Sequence, residues 1–301
     1  MAKKLLILVD KIGEKKEILA SYIARKMPKN EVFMARFSDL VFFANGNQVS
    51  VVIDDCEDKL TDFNLVYFRR VGSKFLSVGG TLAAYLDFIG IKYVDRIYKN
   101  LGPSGDKFTS LVRLATSGLP VIPSYFCWHS KFEEKKKEII LKLGLPLVAK
   151  QLSSQRGRGV LLLKSEEDFD RLNTEFPGEE FLFQKYYFSD EEYRILVLED
   201  RIGSFERKIR TDKEEFRSNV ALGAKEEFLD ISTIQPEMEK IAIDACRLLD
   251  IQVGGVDILV DKNGKFWLLE VNRGPGLTYD PKVSPELNSL ARYFTRKLNR
   301  G

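Results

Sequence analysis

The chain has 301 residues, 44% hydrophobic and 30% charged, and its 47 basic and 44 acidic residues leave a net charge of +3. That is an ordinary globular composition, long enough for two or three compact units and too balanced for non-specific nucleic-acid binding as the main business. The three cysteines (Cys56, Cys127, Cys246) form no metal spacing or disulfide framework, the one histidine (His129) excludes a His-rich zinc site and argues against Ser-His-Asp or Cys-His chemistry, and the N-terminal apolar run, Leu5 to Val9, is too short for a signal peptide or membrane span.

A reducing, cytoplasmic setting is therefore expected. The chemistry must rest on carboxylates, lysines, arginines and backbone. His129 itself, just ahead of a charged helix, reads as a surface or capping residue.

In chain order, KLLILVD reads as a buried strand and GEKKEILASYIARKM as an amphipathic helix. VSVVID and LVYFRRV read as further strands, TLAAYLDFIG as a helix and KYVD as a short strand. The alternation predicts an α/β layer up to about residue 100. No Gly-x-Gly-x-x-Gly follows the first strand, which argues against a dinucleotide site there. NLGPSG is a Gly/Pro break, and the predicted first unit spans residues 1–102.

A second unit, 103–187, begins with the helix DKFTSLVRLATSGL, stopped at Gly118. LPVIPSYFCW is extended, SKFEEKKKEIILKLG is a helix with a solvated charged face, and PLVAK and GVLLLK are strands flanking QLSSQRGRG. The helix SEEDFDRLN and the strand EFLFQKYY complete it. The third unit, 188–301, opens with two strands in YRILVLEDRIGSFERKIR around a turn near Asp200 to Gly203. FRSNVALGA is a polar loop. PEMEKIAIDACRLLD is a helix with Pro236 near its start and Met238, Ile241, Ala242, Ala245, Leu248 and Leu249 on one stripe.

GGVDILVDKNGKFWLLEVNRGPG follows, and its Asn263-Gly264 pair predicts a hairpin with a type I′ turn. That register sets Asp257 directly opposite Glu270, where like charges destabilise the pair. Asn272, two residues on, shares their face. Such hard oxygen ligands suit Mg²⁺, with phosphate oxygens and water completing its shell. Two solvated carboxylates on an exposed sheet face account for the same residues equally well.

Three further features could complete a phosphate site. The Gly-rich loop after Lys150 lets backbone amides approach an anion, though it is not a Walker loop, and a plain β-turn explains it too. Lys107 sits at a helix start, against the macrodipole, where a bound phosphate would relieve it. Arg194, Arg207, Lys208, Arg210 and Arg217, with Asn219, form a basic set whose alternative is a solvated sheet face.

Taken together, DKFTSLVRLATSGLPVIPSY, PLVAK, SSQRGRGV, FQKYYF, EEYRILV, EFRSN, GGVDILV and LLEVNRGPGL, in that order over roughly residues 104 to 277, resemble the ATP-grasp enzymes. Within that superfamily they are similar to the RimK-type amino-acid (glutamate) ligases. FRSN followed by GVDILV and EVN-x-x-PGL is the specific combination. The resemblance implies an α/β (α+β) ATP-grasp fold with an N-terminal pre-ATP-grasp α/β domain. It also implies that Lys107 and Lys150 hold nucleotide phosphates and that the loop from Ser154 through Gly157 and Gly159 to Val160 is a mobile flap. Gln184, Lys185 and Tyr186 would be the adenine hinge, Glu192 the ribose contact, and Arg217, Ser218 and Asn219 a phosphate-proximal segment. Asp257, Glu270 and Asn272 would ligate Mg²⁺ (or Mn²⁺), whose complex with ATP would make the opposed carboxylates tolerable.

The sequence departs from the family's pattern in four places. The flap reads Arg156-Gly-Arg158-Gly, more basic than usual, Lys185 stands where an acid is common, Glu192 where Asp is common, and the segment from the hinge to Glu192 is short. These leave the acceptor more open than the ATP chemistry; the flap arginines could steer an acidic acceptor such as a glutamate-rich tail. The resemblance implies a carboxylate–amine ligase working through an acyl phosphate, with Arg194, Arg207 or Arg210 facing the oxyanion. Its partners would be ATP, an amino-acid substrate and a peptide, protein or small-molecule acceptor, with no membrane. The oligomeric state is left open, a homo-oligomer included. The alternatives are a nucleotide sensor or scaffold without turnover, and a phosphotransferase on the same fold.

Overall fold

The structure, a computed structural model, describes residues 2–45, 48–54, 56–72, 75–99, 107–127, 129–152, 159–188, 192–209 and 225–299. The N-terminal layer begins with Lys4–Val9 (β1), Glu14–Lys26 (α1) and Glu31–Arg36 (β2). Leu40–Asn45 (β3) and Gln48–Ile53 (β4) follow, then Leu65–Arg70 (β5), Leu76–Ile89 (α2) and Tyr93–Val94 (β6). The sheet order is β2-β1-β5-β6, and every pairing is parallel. A parallel strand is buried on both faces, which is why β1 is a continuous aliphatic run. Leu6 and Leu8 enter one core; Leu5, Ile7 and Val9 enter another. The stretch VSVVID does not join this sheet as expected. It forms most of β4, which among the described residues pairs with β3 alone in a separate antiparallel ribbon.

The second region holds Lys107–Thr116 (α3), Ser124–Phe126 (β7), Phe132–Leu143 (α4), Leu147–Gln151 (β8), Val160–Leu163 (β9), Glu167–Glu175 (α5) and Phe181–Lys185 (β10). Its antiparallel sheet, β7-β10-β8-β9, has a core of its own built on Phe132, Phe169, Phe181 and Phe183. His129 donates from Nδ1 to the Glu179 carbonyl (3.1 Å) and accepts the Gly178 N–H at Nε2 (3.3 Å). It pins the turn before β10, a structural task.

The third region contains Glu192–Leu198 (β11), Arg201–Ile209 (β12), Lys225–Leu229 (β13), Pro236–Leu248 (α6), Val253–Val260 (β14), Phe266–Arg273 (β15) and Pro285–Asn299 (α7). The antiparallel order is β13-β12-β11-β14-β15. The β11–β12 turn is tighter than expected, with Glu199 at φ 64° and β12 already under way at Arg201. Gly203 lies within β12, where a Cβ would stand 2.8 Å from the Leu198 side chain.

Helix α6 covers one face of this sheet. Its buried stripe is Met238, Ile241, Ala242, Ala245 and Cys246; Leu248, expected there, is only partly buried. Helix α7 covers part of the other face. Its Leu287, Leu290, Ala291, Phe294 and Leu298 close a core with α1, β1, Leu196, Leu198 and Val253. The second and third sheets meet where Leu268 of β15 donates to the Pro120 carbonyl (2.9 Å) and accepts from Ile122 (3.3 Å).

Candidate active site

Asp257 on β14 stands directly opposite Glu270 on β15, as the sequence predicts, but the turn setting that register is different. Gly264 has φ 78°, whereas Asn263 is not left-handed. The loop is therefore a three-residue one, Lys262 to Gly264, rather than a two-residue type I′ turn. Asp261 explains the choice. Its Oδ1 accepts the N–H groups of Asn263 (2.8 Å) and Lys265 (3.1 Å), and its Oδ2 accepts the Trp267 indole (2.9 Å). The ladder starts one residue out, with Val260 opposite Phe266. A bulge between Ile258 and Asp257 restores the expected pairing.

Pairing then carries one row of ionisable side chains across four strands. Glu206 (β12) faces Arg194 (β11), Arg194 faces Asp257, and Asp257 faces Glu270. Arg194 grips Asp257 with a fork, Nε to Oδ1 and Nη2 to Oδ2, each 2.9 Å. Lys208, buried beside them, donates to Asp257 Oδ1 (2.9 Å) and to Glu192 Oε1 (2.8 Å). Burial pushes the Asp257 carboxyl up, but the Arg194 and Lys208 charges outweigh it and hold the group well below the usual carboxylate range. The protein's own cations thus already offset the like-charge cost that the sequence reading assigned to Mg²⁺ and ATP. Asn272 bridges the acids, its Nδ2 3.2 Å from Asp257 Oδ2 and 2.8 Å from Glu270 Oε1.

Lys107, at the start of α3, donates to the Gln151 carbonyl (3.2 Å). Burial lowers its ammonium pKa, Glu270 raises it and Lys150 lowers it further, so Lys107 stands within electrostatic reach of both the carboxylate row and Lys150. Lys150 lies on β8 opposite Leu182 and Val160. Gln151 N–H to Gly159 O (2.8 Å) closes the neck of the loop between them. Gln184 is buried; its Nε2 donates to Ser124 Oγ (2.9 Å) while its Oε1 has no partner. Lys185 donates its backbone N–H to Pro123 (2.9 Å) and lays its ammonium 5.2 Å from the Tyr187 ring centre. Tyr186, between them, is partly buried.

Arg207 is not part of this assembly. Strand alternation turns it to the other face of β12, opposite Tyr193, where it pairs with Glu227 (2.6 Å). Arg210, Ser154, Gly157, Arg217, Ser218 and Asn219 lie outside the described residues, as do Arg156 and Arg158. Lys208, counted in the basic set but given no role of its own, was legible as the same-face neighbour of Glu206 in FERKI. Glu206 and Glu286 form a buried carboxyl pair no local pattern reveals, since Glu286 arrives on α7. Burial and Glu286 push Glu206 up to about 9, and burial pushes Glu286 up to about 6.

The residues present fit Mg²⁺ and a purine nucleotide. Among the described residues no three His, Cys, Asp or Glu side chains gather around one point, so a cation would rest on Asp257, Glu270 and the Asn272 amide. That leaves positions for phosphate and water, as Mg²⁺ prefers. The Asn272 –NH₂ lies where two carboxylates converge on positive charge; a half-turn of the amide presents its oxygen to a cation instead. The unpartnered Gln184 Oε1 is a buried acceptor matched to an exocyclic amine.

A parallel N-terminal sheet followed by two antiparallel sheets, joined beside a hairpin carrying opposed carboxylates, is the architecture of ATP-grasp ligases. The RimK-like ATP-grasp domain model matches residues 104–285, and the chain belongs to that family. It is 27% identical over 227 residues to a probable alpha-L-glutamate ligase of Cellvibrio japonicus, covering 73% of this chain and 71% of that one. Two similar solved structures support the fold. The ATP-grasp ligase PsnB complexed with minimal precursor, Mg and ADP has a TM-score of 0.72 at 16% identity, over 98% of each chain. D-alanyl-alanine synthetase A of Vibrio cholerae has a TM-score of 0.69 at 14% identity, over 99% of this chain and 98% of that one. The protein is an ATP-dependent ligase. Among the described residues no helix is long and apolar enough to cross a membrane.

Proposed function

We propose that the chain activates a carboxylate with ATP and joins it to an amine, adding an amino acid such as glutamate to a peptide, protein or small-molecule acceptor. The observation that carries this reading is the row Arg194–Asp257–Glu270 with Lys208 and Lys107 beside it. Fixed positive and negative groups alternate there at the point where a transferring phosphoryl group needs both. The kinship with a probable alpha-L-glutamate ligase supports glutamate as the added residue.

In this reading Asp257, Glu270 and Asn272 hold Mg²⁺, which supplies Lewis-acid neutralisation of the phosphate charges when bound. PsnB, seen with Mg and ADP, is the supporting parallel. Lys107 and Lys150 bind phosphate as point charges. Gln184 Oε1 accepts from the adenine amine, the backbone of Lys185 and Tyr186 borders the base, and Glu192 borders the ribose. Ser154, Gly157, Gly159, Arg217, Ser218 and Asn219 complete the phosphate enclosure. The acceptor carboxylate oxygen bonds to the γ-phosphorus as ADP leaves. Arg194 faces the charge that develops, and the amine then displaces phosphate from the acyl carbon.

The test measures ADP and phosphate release from Mg²⁺–ATP across amino acids and acidic peptides, with product masses. Release that needs both an amine and a carboxylate, with an amide product, is expected. A phosphorylated product that persists would replace this reading with phosphotransfer, and ATP binding without release would replace it with a sensor.

A further inference from the structure

Among the described residues, Arg69 is the most fully buried cation outside the site, and its chemistry is unusual. It lies near the end of β5, in the N-terminal sheet, and is 2% exposed. Its Nη2 donates to the Pro275 carbonyl (2.8 Å) and the Tyr279 hydroxyl (3.0 Å). Its Nε and Nη1 have no hydrogen-bond partner, and among the described residues no carboxylate lies within ion-pair distance of it. Burial works against its charge, while Tyr67, Tyr279 and Glu286 favour it without any carboxylate in direct contact, a costly way to fill a purely structural core.

What Arg69 holds explains its presence. Gly274 to Tyr279 is the segment leaving β15 directly after Arg273, one residue beyond Asn272. Gly274 has φ 57°, and a Cβ on it would stand 2.3 Å from the Arg69 carbonyl oxygen and 3.1 Å from Nη1. Both the backbone and the side chain of Arg69 therefore seat this turn. The next residue, Pro275, covers Gly255, where a Cβ would lie 2.6 Å from the proline ring. A Cβ on Gly276 would come 3.8 Å from Arg194 Nη1. Thr278 N–H is tied to Glu286 Oε2 (2.6 Å). The turn thus passes beside the arginine that grips Asp257, and its height over the sheet is set by a residue 206 positions earlier in the chain.

We propose that Arg69 is a positioning residue: the N-terminal layer uses its guanidinium to clamp the Gly274–Tyr279 turn against Arg194, fixing the distance between the turn and the reacting groups. The inference rests on the ligase reading of the Arg194–Asp257–Glu270 row. Misplacement of reacting groups by about 1 Å costs on the order of a hundredfold in rate, so the clamp acts on turnover rather than on ATP affinity.

The test compares Arg69→Met and Arg69→Lys with the wild type. Arg69→Met relieves the desolvation of a buried cation but strands the Pro275 carbonyl, so its melting midpoint should fall only modestly, and it should bind Mg²⁺–ATP within about twofold. Its kcat should nevertheless fall by about tenfold or more, and amide exchange of residues 274–279 should quicken by a similar factor while the Asp257–Glu270 hairpin is unchanged. Arg69→Lys, which keeps the charge and reaches one acceptor, should recover part of both. Exchange at 274–279 that stays at the wild-type rate overturns the clamp. So does a fall in kcat matched by equal losses of ATP affinity and melting midpoint in both variants. A wild type that releases no ADP with any substrate counts against the ligase reading alone; the exchange rates still decide the clamp.

Discussion

At the scale of single residues, Arg194 and Glu206 carry opposite lessons about burial. Arg194 is held by a bidentate carboxylate, and no lysine reproduces that fork. Arg194→Lys should lower kcat by about 10²–10³-fold with a much smaller change in KM for ATP. Steady-state kinetics would show this, and an unchanged kcat would remove Arg194 from the reacting groups. Glu206 instead keeps its proton. Its folded pKa is pushed up to about 9 and that of Glu286 to about 6, against roughly 4.3 for an unfolded glutamate. Between those values the folded state binds more protons than the unfolded one, so stability falls as pH rises from about 4.3 toward 9. Melting midpoints should therefore decline across that window in the wild type. Glu206→Gln should flatten the decline, and a variant with the wild-type slope would show that the pair does not store this proton.

At the scale of elements, the hairpin β14–β15 positions the site through two departures from regular pairing that cancel. The prediction of Asp257 opposite Glu270 holds although the turn behind it is of another kind, because the bulge restores the register. Local turn chemistry at Asp261 was visible in the sequence; the compensating bulge was not, since it depends on how β15 packs between Ile258 and the 120–122 connection. Strands β2, β3 and β13 were illegible for a related reason. They are short edge or ribbon strands whose polar and apolar residues do not alternate cleanly, and pairing partners decide them. Gly255 offers a test at this scale. Gly255→Ala places a methyl 2.6 Å from the Pro275 ring, and a proline cannot swing aside. The strain should cost about 1–3 kcal/mol in denaturant unfolding and lower kcat about tenfold by displacing the turn. Full activity in a well-folded variant would mean that the turn has slack.

At the scale of the whole molecule, the cores do not follow the order of the chain. Residues of the N-terminal sheet share two cores with β11, β12, β14, α6 and α7, while the β7–β10 region has one of its own. The motifs between residues 104 and 277 gave the family, and they named most of the residues proposed to meet metal and phosphate. They gave nothing of α7, whose Leu287, Leu290, Ala291, Phe294 and Leu298 have clear helical spacing but lie beyond the last motif. Nor could they show that α7 ties the third region to α1, or that Arg69 reaches the active-site turn. A chain ended at residue 283 would uncover Leu5, Ile7, Val9, Leu19 and Ile23. It should lose cooperative unfolding and aggregate; a soluble truncation with a sharp transition would contradict the shared core.

The central claim, carboxylate activation by ATP at the Asp257 hairpin, is tested most directly by following oxygen. Acceptor carboxylate labelled with heavy oxygen is incubated with Mg²⁺–ATP, an amino acid and the enzyme, and the released phosphate is weighed by mass spectrometry. An acyl phosphate passes one carboxylate oxygen to phosphate when the amine attacks the acyl carbon. The account predicts one heavy oxygen per phosphate with the wild type and none with Asp257→Asn. Amide product accompanied by unlabelled phosphate would contradict it.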